Sequence, residues 1–188
     1  GIQSKVYSTI VDTNNNGADS ADEVLTESWS DGAGRTLRAR TEHPGSTGGW
    51  SATRMTYDIL GQVCSQSVPT EVSVSGTTWT PAGDDATRGW LWKYQKYDWK
   101  GRVIRTINTD GVDSPTLNDS DTLISYEGCG CAGGQVTTIQ GELVPKEDGT
   151  GNARRTQKIY EDILGRQFKA ETYEWDASTV YTTSVNRF

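Results

Sequence analysis

The sequence predicts an all-β protein, in which antiparallel β-hairpins follow one another along the chain and form an extended, curled or spiralling sheet. The first observation is compositional: among 188 residues Thr occurs 25 times and Gly 21 times, and these residues favour strands and turns respectively. The second is that seven Trp and eight Tyr supply apolar area to a chain that is only 33% hydrophobic. The third is a recurring turn sequence followed each time by a strand-like alternation. We expect roughly 10–12 strands in a sheet that does not stay flat.

The first element is an N-terminal strand that leads into a candidate calcium loop. Residues 12–23 fit the pattern D-x-[DN]-x-[DN]-G-x5-E at every specified position. Calcium takes six to eight oxygen ligands, and Gly17 permits the sharp turn that such a loop needs. The predicted ligands are Asp12, Asn14, Asn16, the Ala18 carbonyl, Ser20 and Glu23.

Two features of this loop keep an ion-free alternative open. The flanking segments are strand-like, whereas helices flank the loop of an EF-hand, and Asp19 stands at a position that is usually apolar there. The alternative is an Asn- and Gly-rich hairpin loop without an ion. A second acidic loop, residues 110–121, lacks clean ligand spacing and is interpreted as solvated.

The next elements are hairpins that share one turn sequence: an aromatic residue, an acid, two variable residues, Gly and usually Arg. Asp at the start and Gly at the fourth position are typical of a type I turn, in which the Asp side chain caps backbone N–H groups and the Gly is left-handed. The predicted turn residues are Asp31, Gly34, Asp58, Gly61, Asp98, Gly101, Asp162 and Gly165, with a degenerate copy at 126–131.

Polar, Gly-rich segments separate these units and are predicted to be the loops at the opposite ends of the strands (43–49, 81–85, 109–121 and 146–151). Between two of them, residues 90–107 form the clearest predicted strand pair. Its period of two places Trp90, Trp92 and Tyr94 on one face, with Trp99 nearby. We favour a core role for these rings; the alternative is an exposed platform for sugar rings.

Three cysteines, Cys64, Cys129 and Cys131, leave at least one unpaired within the chain. Cys129 and Cys131 flank a single Gly, which permits a local disulfide, a free dithiol or two ligands of a soft metal. Because structural zinc needs four ligands, a structural role in a turn is favoured.

Several functional classes are disfavoured by composition. No apolar run approaches the roughly 20 residues of a membrane helix, and a net charge of −7 opposes nucleic-acid binding. The single histidine, His43, lies beside Pro44 in a polar loop, and no pair of acids stands out for acid–base chemistry. We therefore expect that the protein is not an enzyme.

The Tyr-Asp-x-x-Gly-Arg units resemble those of the YD-repeat (Rhs-type) family, most closely at residues 57–62, 97–102 and 160–166. The resemblance implies an extracellular or cell-surface protein whose repeats wind into a spiralling β-shell, which can enclose a toxin domain, or form surface and adhesion modules. This chain departs from the pattern, since Gln62 and Cys131 replace Arg and Glu127 replaces Asp. It shows about five units and no toxin domain.

These observations predict one structural module over residues 1–188, with the strand and calcium loop at 1–24 and the hairpins at 25–188. Sheet edges template further pairing, so we expect edge-to-edge contact with copies of the chain, as in a filament, or with flanking repeats of a larger shell. Both ends of the sequence look cut from something longer. The alternative function is carbohydrate binding or adhesion through the Trp and Tyr rings; no nucleic acid and no membrane span are expected.

Overall fold

A computed structural model of the chain describes residues 2–8, 24–109, 120–128, 134–147 and 149–188. The strands of the first half are β1 (Ile2–Ser8), β2 (Val24–Ser30), β3 (Thr36–Glu42), β4 (Trp50–Tyr57), β5 (Val63–Ser67), β6 (Thr70–Ser75) and β7 (Thr78–Pro81). Those of the second half are β8 (Trp92–Tyr97), β9 (Val103–Asn108), β10 (Ser120–Glu127), β11 (Gln135–Pro145), β12 (Asn152–Glu161), β13 (Gln167–Tyr173) and β14 (Val180–Val185). Within these ranges the helical structure is one 3-10 turn, Gly83–Ala86, and no helix is long and apolar enough to cross a membrane.

The strands form one open antiparallel sheet, which confirms the predicted fold class. The hydrogen-bonded order is β1-β2-β3-β4-β5-β8-β9-β10-β11-β12-β13-β14, while β6 pairs with β4 and with β7. Of the fourteen strands, twelve therefore lie on this path. β6 and β7 form an additional branch, so the segment at 81–85 is the end of this branch rather than a simple return loop.

The chain divides into two compact units. The first comprises residues 1–94 and 108–117, and the second comprises residues 95–107 and 118–188. The division passes through β8 and β9, each of which contributes residues to both units.

The core of the first unit is aromatic, in agreement with the scarcity of leucine. Trp79, Trp90, Val72 and Ala52 are buried together. Partly buried hydrophobic residues surround them: Trp29, Trp50, Val74 and Trp92. The rings of Trp29 and Trp79 meet edge to face, with centroids 5.2 Å apart, an arrangement that the ring quadrupoles favour.

Core residues lie on β4 and on the two strands of the branch, β6 and β7, and β4 changes partner along its length. The first part of β4, Trp50 to Ala52, pairs with β6, whereas its last part, Met55 to Tyr57, pairs with β5. β6 lies so close to the loop between β3 and β4 that a Cβ added to Gly48 in this loop would be 2.6 Å from the backbone of Val72. Only glycine fits there.

The second unit is an antiparallel meander, and much of its buried surface is polar. Ile107 and Tyr173 are its buried apolar residues, and Asp121, Thr156 and Glu171 are buried with them. The long β11–β12 pair contains an irregularity between Gln140 and Leu143. Such a bulge bends the strand locally.

Candidate functional site: matching turns and an open strand edge

The turn between β8 and β9 shows how the Asp-x-x-Gly sequence folds. Asp98 Oδ1 accepts hydrogen bonds from the backbone N–H groups of Lys100 and Arg102, both at 2.9 Å. Gly101 has a φ of +79°, and its N–H donates to the Asp98 carbonyl at 3.0 Å. The left-handed glycine closes the turn into a hairpin. The same contacts are made by Asp31 and Gly34, Asp58 and Gly61, and Asp162 and Gly165.

An arginine closes three of these four turns with a forked ion pair. Arg102 donates to Asp98 Oδ2 from Nε at 2.8 Å and from Nη2 at 2.7 Å. Arg35 and Arg166 make the equivalent pairs with their own aspartates. The hydrogen bonds from Arg35, first from its side chain and then from its backbone, hold the pKa of Asp31 below its ordinary value.

The same arginines also join one hairpin to the next. The Arg102 guanidinium carbon lies 4.1 Å from the centroid of the Tyr126 ring, and the Tyr126 hydroxyl donates to the Val103 carbonyl at 3.0 Å. Both contacts recur in the first unit. The Arg35 guanidinium carbon lies 4.8 Å from the centroid of the Tyr57 ring, and the Tyr57 hydroxyl donates to the Thr36 carbonyl at 2.8 Å. The arginine of one turn thus holds the tyrosine that precedes the following turn, through cation–π attraction and a backbone hydrogen bond.

Phe188 occupies the corresponding position at the last strand. The Arg166 guanidinium carbon lies 5.0 Å from the centroid of the Phe188 ring. Counting along the β13–β14 register places Phe188 opposite Arg166, just as the β3–β4 register places Tyr57 opposite Arg35. Phe188 therefore makes the ring contact of the hairpin-to-hairpin link but has no hydroxyl for its hydrogen bond.

β14 is an edge strand. Among the described strands it pairs only with β13, and all six of its residues are exposed. The Asn186 N–H donates to the Phe168 carbonyl at 2.9 Å, and inward and outward peptide groups alternate along an antiparallel strand. The N–H groups of Thr183 and Val185 consequently point away from β13, where they are available to another strand.

A buried carboxylate ties together the three strands at the other end of the path. Glu27 on β2 is 1% exposed. It binds Lys5 of β1 at 2.8 Å, and Arg40 of β3 donates to it through Nε at 2.6 Å. Burial acts to raise the pKa of Glu27, but the hydrogen bonds and charges of Lys5 and Arg40 outweigh burial and lower it.

The second unit contains two comparable polar centres. Asp121 on β10 binds Arg105 at 2.8 Å and also pairs with Arg154. Glu171 on β13 accepts hydrogen bonds from Lys169 Nζ (2.5 Å) and from the hydroxyls of Tyr160 (2.7 Å) and Tyr173 (2.9 Å). The Lys169 and Tyr160 donors are the main reason that the pKa of Glu171 falls to about 2.

Several predicted site residues lie outside the described ranges. These are the calcium ligands Asp12, Asn14, Asn16, Ala18, Ser20 and Glu23, and the cysteines Cys129 and Cys131. Among the residues that are described, no three His, Cys, Asp or Glu side chains are grouped to hold a metal ion. Cys64 is a free, half-buried thiol on β5, and His43 is exposed in the β3–β4 loop.

The aromatic residues proposed as a glycan platform occupy different environments. Trp90, Trp92 and Tyr94 form a row with 6.3 Å between successive ring centroids. Trp90 is buried in the core, where the Arg54 guanidinium carbon lies 4.1 Å from its ring centroid. Trp99 is instead at the tip of the β8–β9 turn and is 87% exposed.

Sequence reasoning missed the arginines that stack on the tryptophan core. The Arg40 guanidinium carbon lies 4.2 Å from the Trp50 ring centroid, and that of Arg38 lies 4.7 Å from the centroids of both Trp29 and Trp79. The available signal was the spacing of Arg38 and Arg40, which places both on one face of β3. This spacing predicts that both arginines lie on the same face of β3, but it does not predict which aromatic rings pack against them.

A further turn was also missed because it has no glycine. Asp176 Oδ1 accepts the N–H groups of Ser178 and Thr179, both at 2.9 Å, and Ala177 takes a φ of +56°. The hydrogen bond from the Thr179 backbone is the largest cause of the lowered pKa of Asp176. The Asp contacts resemble those of the other turns, but an alanine in the left-handed region is not a turn signal that a sequence pattern supplies.

Neither a protein-family model nor a curated protein matches this chain. The resemblance to YD-repeat proteins therefore rests on the turn sequences alone.

Proposed function

We propose that this chain is an extracellular structural module of the YD-repeat type, which extends by adding strands at its open edge. The main support for the proposal is that β14 is an exposed edge strand. Its outer N–H groups are available, and Phe188 lies against Arg166 where a tyrosine links successive hairpins elsewhere in the chain. The last strand thus has the same ring-to-arginine link as the strands inside the sheet.

The pairing pattern supports a second copy of the chain as the partner of this edge. Pairing is antiparallel along the path, and the path holds an even number of strands, twelve of the fourteen. A β1 strand from another copy, added beside β14 in a head-to-tail arrangement, therefore runs antiparallel to β14 and continues the alternation of strand direction. Regular head-to-tail addition without closure builds a filament, whereas addition of flanking repeats builds a larger shell.

The proposal assigns no catalytic activity to the module. The described carboxylates of low pKa are engaged in turn capping or ion pairs, as at Asp98, Glu27 and Asp121. Carbohydrate binding has weaker support, because Trp90 contributes to the core and Trp99 offers a single ring at a turn tip.

The test compares two double variants of β14. Thr183→Pro with Val185→Pro removes the outward N–H groups at these two positions and leaves the inward bonds to β13, since proline is tolerated at the open side of an edge strand. Thr183→Ala with Val185→Ala is the matched control, because it shortens the same side chains and retains both N–H groups.

Analytical ultracentrifugation and electron microscopy of the wild-type chain should show assemblies that grow with concentration. The alanine variant should retain them and the proline variant should not. A wild-type chain that is monomeric at every concentration would refute self-assembly, and equal assembly of the proline and alanine variants would refute pairing through β14.

A further inference from the structure

Two turns of the second unit expose large apolar side chains at their tips. Trp99 is in the β8–β9 turn, and Ile163 and Leu164 are in the β12–β13 turn. Their exposed fractions are 87%, 63% and 71% respectively. These residues fill the two variable positions between Asp and Gly, and their side chains make none of the hydrogen bonds described for the turn, which join the backbone, the Asp side chain and the Arg side chain. The turn does not need an apolar residue there, so its presence calls for another explanation.

Both tips lie at the same edge of this unit. Turns that alternate along an antiparallel meander emerge at one end of the strands, and β10 and β11 separate these two turns. With about 4.8 Å between neighbouring strands, the two tips are roughly 20 Å apart along the edge. The apolar side chains therefore form separate protrusions rather than one contiguous patch or groove.

Several backbone N–H groups at these tips are already hydrogen-bonded within the turn. The N–H groups of Lys100 and Leu164 donate to Asp98 and Asp162 Oδ1 at 2.9 Å and 2.8 Å. The N–H of Gly101 donates to the Asp98 carbonyl at 3.0 Å. Removing such a tip from water leaves these donors satisfied, which avoids the main penalty of placing a loop in an apolar medium.

Basic side chains accompany the apolar ones. The Lys100 ammonium lies 5.1 Å from the centroid of the Trp99 ring. The charges of Asp98 and Asp162 are countered by Arg102 and Arg166, so neither tip carries an uncompensated carboxylate in its turn. Tryptophan with a neighbouring cation suits the boundary between lipid headgroups and acyl chains.

We propose that this edge docks on a lipid bilayer surface, with Trp99, Ile163 and Leu164 inserted at the headgroup boundary and Lys100 among the phosphates. A lipid surface adapts to two convex protrusions about 20 Å apart, whereas a protein partner would need two matching cavities at that spacing. This docking is interfacial and is distinct from spanning the membrane. It rests on the turn tips and is independent of the pairing proposed for β14.

The test is co-sedimentation of the full chain with vesicles of phosphatidylcholine, with and without phosphatidylglycerol. The variant Trp99→Ser, Ile163→Ser, Leu164→Ser removes the protrusions. The control Leu143→Ser, Val144→Ser removes exposed apolar side chains from β11, near the opposite end of the strands. Circular dichroism and thermal unfolding should be the same for all three proteins, because the replaced side chains are exposed.

The wild-type chain and the control should bind the vesicles. The triple variant should partition at least about tenfold more weakly, since burying one such side chain is favoured by more than the roughly 1.4 kcal/mol that a factor of ten represents. Absence of binding by the wild type, or equal binding by the triple variant, would overturn the proposal. So would a lipid-free self-association that the triple variant abolishes, because the tips would then be a contact between copies.

Discussion

Replacement of Arg40 by methionine tests the polar link beneath the tryptophan core. The variant removes the Arg40 hydrogen bonds to Glu27 and the stacking on Trp50, but keeps an unbranched apolar stem. Glu27 is 1% exposed and, among the described residues, would keep Lys5 and Gln3 as its partners. Breaking a buried ion pair in this way typically destabilises a protein by about 3–5 kcal/mol.

The matched control is Lys5→Met, which removes the other cation from the same carboxylate. The Lys5 side chain is 51% exposed, compared with 13% for Arg40. An exposed ion pair contributes at most about 1 kcal/mol. The difference between the two effects therefore measures the combined contribution of the more buried ion pair and of the stacking of Arg40 on Trp50.

The assay is urea unfolding followed by tryptophan fluorescence, because Trp29 and Trp50 lie next to Arg40. The double variant Glu27→Leu, Arg40→Met should recover part of the loss, since it leaves neither charge unpaired and also removes an Arg40 Nη1 that has no hydrogen-bond partner in the described part of the chain. Equal destabilisation by Arg40→Met and Lys5→Met would contradict the expected dominance of the Arg40 contact, as would an Arg40→Met effect below about 1 kcal/mol.

Three further predictions address the polar centres, the turns and the calcium loop. The pKa of Glu171 is lowered to about 2, so the contribution of its ionised form to stability is complete above the unfolded-state pKa near 4.5 and is lost as the pH falls towards 2. In acid unfolding, the stability difference between the wild type and Glu171→Gln should therefore vanish over that pH interval. A stability difference that does not change with pH would contradict this expectation. Gly101→Ala places a Cβ at a φ of +79° and should destabilise the protein by about 1 kcal/mol in denaturant unfolding, whereas the same substitution at Gly32, which has open space and no positive φ, should have little effect. Calorimetry should detect calcium at millimolar concentration, and Asp12→Ala with Glu23→Ala should abolish the heat; the absence of heat from the wild type would leave the loop without an ion.

The local part of this architecture follows from short-range sequence patterns. The Asp-x-x-Gly turn is specified by contacts within five residues, such as those from Asp98 to Arg102, so its sequence suffices to predict the hairpin. Alternation of side chains then predicts strands, and hairpins in succession predict an antiparallel sheet. The Ala177 turn shows where this reasoning ends, because its left-handed residue is not a glycine.

Contacts between side chains across the sheet depend on the tertiary structure. The change of partner along β4, the pairing of Glu27 with Arg40 and the stacking of Arg38 on Trp79 each depend on strand register or on the branch formed by β6 and β7. The link between Phe188 and Arg166 depends on the β13–β14 register in the same way. A shift of one residue would send every such side chain to the opposite face. Tight turns set the register within a hairpin, but the pairing of strands that no turn joins, such as β4 with β6, depends on packing between residues distant in sequence, which a local pattern does not contain.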